Sequence, residues 1–184
     1  LPFIGGLLGY YGYESGHFVE QLPDTVKHDI QLDTLSVGLY AWGVITSHKE
    51  KTTQLIMAPW CTQEDAADLI NRFTSACDDV LVKHELNHAK PFSLHTPFTS
   101  NMTKTEYAQK FSAVQDYIQS GDCYQVNLAQ RFSSTYQGDT FTAYHALREV
   151  CPTPFSAYME ISPQQSLLSH SPERFLLCDQ GRIE

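Results

Sequence analysis

The sequence is poor in basic residues. Its 184 residues include 12 Lys and Arg against 21 Asp and Glu, a formal net charge of −9, and the basic residues form no run or patch. Proteins bind nucleic acid largely by neutralising phosphates with Lys and Arg. A chain of this charge repels a polynucleotide, so nucleic acid is not expected as a partner.

The sequence also lacks a long apolar run and a cysteine pair. No stretch approaches the roughly 20 apolar residues that a membrane-spanning helix needs, and the first residues lack the order of a signal peptide. The 5 cysteines are scattered, with no C-x-x-C spacing, which indicates reduced thiols rather than a disulfide framework. We expect a cytoplasmic protein that makes no membrane contact.

The sequence contains a match to a zinc-protease signature, but the residues around the match do not support a metal site. Residues 84–88 read HELNH, which matches H-E-x-x-H, the pattern that places two imidazoles and a carboxylate on one helix face. Pro91 ends any such helix three residues after His88. The third ligand of the known zinc-protease families is also missing from the positions that follow. We therefore predict no metal site in this segment.

The remaining patterns alternate between strand and helix, which favours an α+β fold. Two β-rich runs in residues 35–58 flank the turn HKEK and predict a hairpin, and acidic residues after Thr62 predict a helix. Thr103 and Glu106 form a capping-box pattern at the start of a second helix, which Gly121 ends. Further predicted elements are a strand in CYQVNLAQRF, a helix in TFTAYHALREV and two strands in FSAYMEI and QQSLLSH.

Two motifs carry polar side chains whose role the pattern leaves open. In CYQVNLAQRF, Gln125 and Asn127 share one face of the predicted strand, opposite an apolar face. They are either structural amides, which is the commoner case, or ligand contacts. In SHSPERF, Glu173 is either an acidic residue in the first turn of a helix or a buried carboxyl that donates a proton.

These motifs resemble those of a known family. SGDCYQVNLAQRF, PFSAY and SPERFLLCD, together with LPFIGGLLGYYGYESG and SNMTKTEYAQKF, are similar to the aminodeoxychorismate synthase component I family, chorismate-utilising enzymes of para-aminobenzoate and folate biosynthesis. The resemblance runs in order from Leu1 to Glu184. It implies an internal fragment of a longer chain, in which residues 1–100 belong to the C-terminal portion of the N-terminal domain. Residues 101–184 would then form the first portion of the chorismate-binding catalytic domain.

The resemblance further implies a fold and a reaction. The family fold is α+β, with two packed, mostly antiparallel β-sheets flanked by helices, here incomplete. The family replaces the 4-hydroxyl of chorismate with an amine. Ammonia comes from a glutamine amidotransferase partner subunit, and Mg²⁺ holds the ring carboxylate of the substrate.

The same resemblance assigns roles to individual residues. It makes Glu173 the catalytic acid and places Asn127 and Gln125 at the substrate. Pro154 and Phe155 would form one wall of a pocket for bound tryptophan. The lysine nucleophile and the metal ligands of the family are expected beyond the last residue of this sequence. No metal ligand is therefore assigned within it, and the isolated chain is expected to be inactive.

Two alternative interpretations stay open. Anthranilate synthase component I shares the fold and the substrate, but it usually carries a Val-Pro pair near Asn127 and a Pro-Tyr-Met motif near Pro154. The residues found here, Asn-Leu and Pro-Phe-Ser, favour aminodeoxychorismate synthase. The alternative of another class is a non-catalytic binding module for an aromatic amino acid or a partner subunit.

Overall fold

The computed structural model describes residues 2–24, 29–82 and 91–184. The chain divides into two compact units, Leu1–Glu85 and Leu86–Glu184, which are described separately below. The HELNH segment lies outside the described residues, so its lack of a metal site stays a prediction. The domain boundary predicted near residue 100 stays a prediction too.

The first unit is built from two antiparallel strand pairs and a long helix. Its elements are β1 (Gly6–Tyr11), β2 (Leu35–Tyr40), β3 (Trp42–Ser47), β4 (Thr52–Met57) and α1 (Gln63–Val82), with a short 3-10 helix at Tyr13–Phe18. β1 pairs with β2, and β3 pairs with β4. The hairpin predicted in residues 35–58 is therefore confirmed for β3 and β4. The first β-rich run, however, is split at Ala41, and its first half pairs with β1.

The helix predicted after Thr62 is confirmed. The N–H of Asp65 donates to the Thr62 hydroxyl at 3.1 Å, and the N–H of Thr62 donates to the Asp65 carboxylate at 3.1 Å. This reciprocal pair occupies two N–H groups that a helix start otherwise leaves without an acceptor. The hydrogen bonds to the hydroxyl and the N–H of Thr62 hold the pKa of Asp65 below its ordinary value.

Within its described residues, the second unit has two helices and four antiparallel strand pairs. The helices are α2 (Lys104–Ser120) and α3 (Thr140–Val150), and the strands are β5 (Ser93–Leu94), β6 (Thr99–Ser100), β7 (Phe132–Ser133), β8 (Tyr136–Gln137), β9 (Phe155–Ser162), β10 (Gln165–Ser171), β11 (Cys178–Asp179) and β12 (Arg182–Ile183). β5 pairs with β8, β6 with β7, β9 with β10 and β11 with β12.

Local signals place both helices of this unit. Thr103 and Glu106 form the predicted capping box, and Gly121 ends α2 in a left-handed conformation with φ of 82°. The predicted α3 spans the same eleven residues in the structure, and the two strands that follow it form the β9–β10 hairpin. The predicted α+β class is thus confirmed. All 5 cysteines are free thiols, and no helix in the described part of the chain is long and apolar enough to cross a membrane.

Candidate functional site

The surface between α3 and the β9–β10 hairpin contains the most buried side chains of the second unit. Ala143 and Tyr144 on α3 are buried. The Tyr144 ring lies 5.7 Å from the Tyr158 ring and 5.1 Å from the His170 ring, centroid to centroid. Strand alternation accounts for this arrangement, because the cross-strand pairs Tyr158–Leu168 and Ser156–His170 place both rings on the face that α3 covers.

The first turn of α3 is tied to both strands of the hairpin. Asp139 caps the helix, and its carboxylate accepts the backbone N–H of Thr142 at 2.7 Å and the Thr142 hydroxyl at 2.9 Å. These two hydrogen bonds, the backbone one first, hold the pKa of Asp139 below its ordinary value. The Thr140 hydroxyl lies 3.0 Å from the Tyr158 hydroxyl and donates to Ser166 at 3.1 Å. The hairpin is therefore held at a fixed position against α3.

Glu173 lies just beyond the end of β10, in a bend. The helix start considered for Ser171, Pro172 and Glu173 is wrong. In a helix, the carbonyl oxygen of Glu173 would accept the N–H four residues later, that of Leu177. Here the N–H of Leu177 donates to Glu184 at 2.9 Å. The Ser171 hydroxyl instead donates to the carbonyl oxygen of Glu173 at 2.9 Å and accepts its N–H at 3.3 Å.

The carboxylate of Glu173 is exposed, and it has no hydrogen-bond or ion-pair partner among the described residues. The buried carboxyl of the alternative interpretation is therefore not formed by this part of the chain. The backbone of Glu173 is fixed by Ser171 while its side chain is free. That combination leaves the carboxyl group exposed beyond the open end of the hairpin.

Phe155 lies at the same end of the hairpin as Glu173. It is the first residue of β9 and pairs with Ser171, the last residue of β10. The guanidinium carbon of Arg174 lies 5.2 Å from the centroid of the Phe155 ring, within the range of a cation–π contact. Pro154, directly before β9, is exposed. The structure thus brings together three of the predicted residues: Pro154, Phe155 and Glu173.

Gln125 and Asn127 lie in a segment that forms no strand, so the strand predicted in CYQVNLAQRF is wrong for residues 123–130. The predicted common face is nevertheless present, because the Gln125 amide donates to the Asn127 side chain at 3.5 Å. A strand exists only where a second strand accepts its hydrogen bonds, and no described strand pairs here. Both amides are exposed, and among the described residues nothing connects them to Glu173.

Sequence reasoning missed Arg174 and His170. Arg174 follows the predicted acid, and its contact with Phe155 depends on the hairpin register, which the sequence pattern does not specify. His170 has both ring nitrogens buried, with no hydrogen-bond partner in the described part of the chain. Its alternation with Leu168 on β10 is the one signal that could have placed it on the covered face.

The described residues do not supply a metal centre. In residues 2–24, 29–82 and 91–184, no three His, Cys, Asp or Glu side chains lie close enough together to hold an ion. An open cleft of about 340 Å³ lies at the start of α3 and includes Asp139 and Glu160 in its lining. None of the predicted site residues lines this cleft. We therefore derive no step through Mg²⁺.

The sequence also matches a family model. Residues 2–184 match the family described as chorismate binding enzyme. The chain belongs to this family. Among its relatives, "Aminodeoxychorismate synthase component 1" of Escherichia coli strain K12 is 40% identical over 184 residues, which is 100% of this chain and 38% of the relative. The corresponding protein of Salmonella typhimurium strain LT2 is also 40% identical over 184 residues, covering 100% of this chain and 37% of the relative.

Some of the more distant relatives carry the name of the sister enzyme. "Anthranilate synthase component 1" of Aquifex aeolicus is 28% identical over 189 residues, covering 99% of this chain and 38% of the relative. The crystal structure of anthranilate synthase component I from Streptococcus pneumoniae TIGR4 superimposes with a TM-score of 0.83 at 21% identity, over 100% of this chain and 42% of the other. This likeness confirms the α+β fold. The chain spans about 38% of the length of the curated relatives that are 40% identical to it.

Proposed function

We propose that this chain is part of an aminodeoxychorismate synthase component I, which converts chorismate and ammonia to 4-amino-4-deoxychorismate. The observation that carries the proposal is the 40% identity to two proteins of that name along all 184 residues, against 28% for an anthranilate synthase. The residues Asn127-Leu128 and Pro154-Phe155-Ser156 support the same choice, because the anthranilate synthase family usually carries other residues at these positions.

The proposed reaction exchanges one substituent on the ring. The bond from C4 to the hydroxyl oxygen breaks, a bond from C4 to nitrogen forms, and chorismate plus ammonia gives 4-amino-4-deoxychorismate plus water. Hydroxide is a poor leaving group, so the departing oxygen must receive a proton. We assign that proton to the carboxyl group of Glu173, which projects from a fixed bend without a partner among the described residues.

The other site residues have positioning roles in this proposal. Gln125 and Asn127 present adjacent side-chain amides, which can both donate and accept hydrogen bonds to substrate oxygens. Pro154 and Phe155 offer an apolar wall at the end of the hairpin that carries Glu173, and we propose that it contributes to a tryptophan pocket.

The proposal includes further components. The word "component" in the names of the relatives supports a second subunit, and we propose a glutamine amidotransferase that supplies ammonia. Mg²⁺ would hold the ring carboxylate of chorismate through ligands that the described residues do not provide. A cytoplasmic location belongs to the proposal as well.

The test uses the complete protein encoded by the reading frame that contains this sequence. Incubation with chorismate, ammonium and Mg²⁺ should yield a product that retains the enolpyruvyl ether, as mass spectrometry would show. Glu173→Gln keeps the shape of the side chain and removes the acidic proton. We expect it to lower kcat by about 10²–10⁴-fold without changing the melting temperature.

Each other outcome has a distinct meaning. Anthranilate, an aromatic amine without the ether, would assign the protein to the sister enzyme. A folded protein that binds chorismate or an aromatic amino acid without turnover would support the non-catalytic binding module. Near-normal kcat in folded Glu173→Gln would refute the role assigned to this residue.

A further inference from the structure

The bend that carries Glu173 is held at both ends by the β9–β10 hairpin. On the N-terminal side, the Ser171 hydroxyl binds the carbonyl oxygen and the N–H of Glu173 at 2.9 and 3.3 Å. On the C-terminal side, the guanidinium carbon of Arg174 lies 5.2 Å from the centroid of the Phe155 ring. Ser171 and Phe155 are cross-strand partners. Both contacts therefore involve residues of one rung of the ladder, and Glu173 lies between Ser171 and Arg174 in the chain.

Arg174 is available for this contact because it has no other partner in the part of the chain that the structure describes. Among the described residues, no carboxylate forms an ion pair with its guanidinium. The Phe155 ring is 37% exposed, so a cation can lie on it without losing all of its water. The contact with the Phe155 ring limits the directions that the Arg174 side chain can take. Glu173 is the adjacent residue in the chain.

We propose that Arg174 is a positioning residue for Glu173, and that its contact with Phe155 fixes the bend that presents the Glu173 carboxyl. The inference rests on the proposed function, since it assigns a purpose to the geometry around the proposed acid. In this proposal Arg174 acts on the reaction only through Glu173. A positioned acid loses rate steeply when it moves, because a displacement of 1 Å can cost about 10²-fold.

The kinetic test compares variants of the complete encoded protein. Arg174→Gln and Phe155→Leu should each lower kcat by between about fivefold and 10²-fold while KM stays within about twofold of wild type. The double variant should be no slower than the slower single variant, because both changes remove one contact. Phe155→Tyr keeps the ring and should restore most of kcat. The matched controls are Arg182→Gln and Phe132→Leu, which alter an arginine and an exposed phenylalanine outside this contact.

Three kinetic results would overturn the proposal. An increase in KM at unchanged kcat would make Arg174 a substrate-binding residue. Multiplied losses in the double variant would show that the two side chains act separately. Wild-type kcat in folded Arg174→Gln would show that Glu173 needs no anchor at this position.

A second test needs no activity. Trypsin cleaves after arginine, and contact with Phe155 protects Arg174. Phe155→Leu in the complete encoded protein should raise the cleavage rate after Arg174 by about two- to fivefold, the range expected for losing an exposed cation–π contact. The rate after Arg182, measured in the same digest, should not change, and Phe132→Leu should alter neither rate.

The two tests separate the inference from the proposed function. Unchanged cleavage after Arg174 in Phe155→Leu, in a protein that turns over chorismate, overturns the Arg174–Phe155 contact alone. Accelerated cleavage in a protein that makes no product from chorismate refutes the proposed function, and the positioning role of Arg174 falls with it.

Discussion

The imidazole ring of His170 packs against the phenol ring of Tyr144, with centroids 5.1 Å apart. Neither nitrogen of this imidazole reaches solvent or has a hydrogen-bond partner in the described part of the chain. A buried polar group without a partner costs about 1–3 kcal/mol. The contact between His170 and Tyr144 therefore buries two ring nitrogens of His170 without hydrogen bonds to the described residues.

Replacing His170 with phenylalanine should stabilise the second unit. The variant keeps an aromatic ring against Tyr144 and removes both nitrogen atoms, so we expect the free energy of unfolding to rise by about 1 kcal/mol. Amide hydrogen exchange in β9 and β10 measures this. The control is His145→Phe, because His145 contacts the same cluster through Phe141 but is exposed. A loss of stability in His170→Phe alone would show that the imidazole nitrogens bind a partner in solution.

Replacing Gly9 with alanine should destabilise the pairing of β1 with β2. A Cβ at this position would overlap the carbonyl oxygen of Ser36 on the paired strand, so Gly9→Ala must push the strands apart. We expect a loss of about 1–3 kcal/mol, the usual range for overpacking. Both tryptophans of the chain, Trp42 and Trp60, lie in the first unit, so their fluorescence in a urea titration reports on this unit.

The matched control for Gly9→Ala is Gly43→Ala. A Cβ on Gly43 would meet a side-chain ring carbon of Phe3 at 3.2 Å. That ring can move, whereas the backbone oxygen opposite Gly9 cannot move without disturbing the ribbon. Gly43→Ala should therefore change the urea midpoint less than Gly9→Ala. Equal midpoints for the two variants would contradict the close approach of β1 and β2.

The N-terminus of α2 should loosen in acid. The Glu106 carboxylate accepts the N–H of Thr103 at 2.7 Å and its hydroxyl at 2.9 Å, and these bonds, the backbone one first, hold the pKa of Glu106 below its ordinary value of 4.5. A lowered pKa in the folded state stabilises the helix start fully above the unfolded-state pKa. That stabilisation is lost as pH falls through the lowered value.

Hydrogen exchange at the backbone amides of Thr103 and Glu106, corrected for the intrinsic pH dependence of exchange, measures the loss of the capping box in acid. The measurement runs from pH 6 to pH 3, about 1.5 units either side of 4.5. Protection at both amides should decrease below about pH 4.5. Glu106→Gln can form the same capping box without a titrating group, so its protection should not respond to acid in this range. A wild-type chain that behaves like this variant would refute the role of the carboxylate.

The sequence predicted the helices, whose ends depend on residues within one helical turn. The Thr103–Glu106 pair acts within one helical turn, and α2 begins where this pair predicts. The helix predicted in TFTAYHALREV spans the same residues in the structure. The segment around Gln125 has equally clear alternation but no described partner strand, and a ladder depends on residues far away in the chain. The bend at Glu173 escaped prediction for the same reason, because Glu184, eleven residues later, accepts the Leu177 N–H that a helix would use.

The isolated chain should bind hydrophobic dyes in native buffer. Only Ala58, Ala143 and Tyr144 are buried among the described hydrophobic residues. Large hydrophobic residues such as Tyr13, Val19 and Phe175 are more than 80% exposed, and apolar surface of that kind marks a face that another polypeptide covers or an aggregation risk.

Two exposed tyrosines allow this surface to be tested directly. Tyr13 is 97% exposed and Tyr124 is 100% exposed, so replacing either with serine removes apolar surface without opening a cavity. We expect Tyr13→Ser and Tyr124→Ser each to lower the fluorescence of a bound naphthalene-sulfonate dye while the circular dichroism spectrum stays unchanged. Tyr144→Ser, at a buried site, should instead raise dye fluorescence by loosening the contact between α3 and the hairpin. A wild-type chain that gives no dye signal at micromolar concentration would show that these apolar faces are covered in solution.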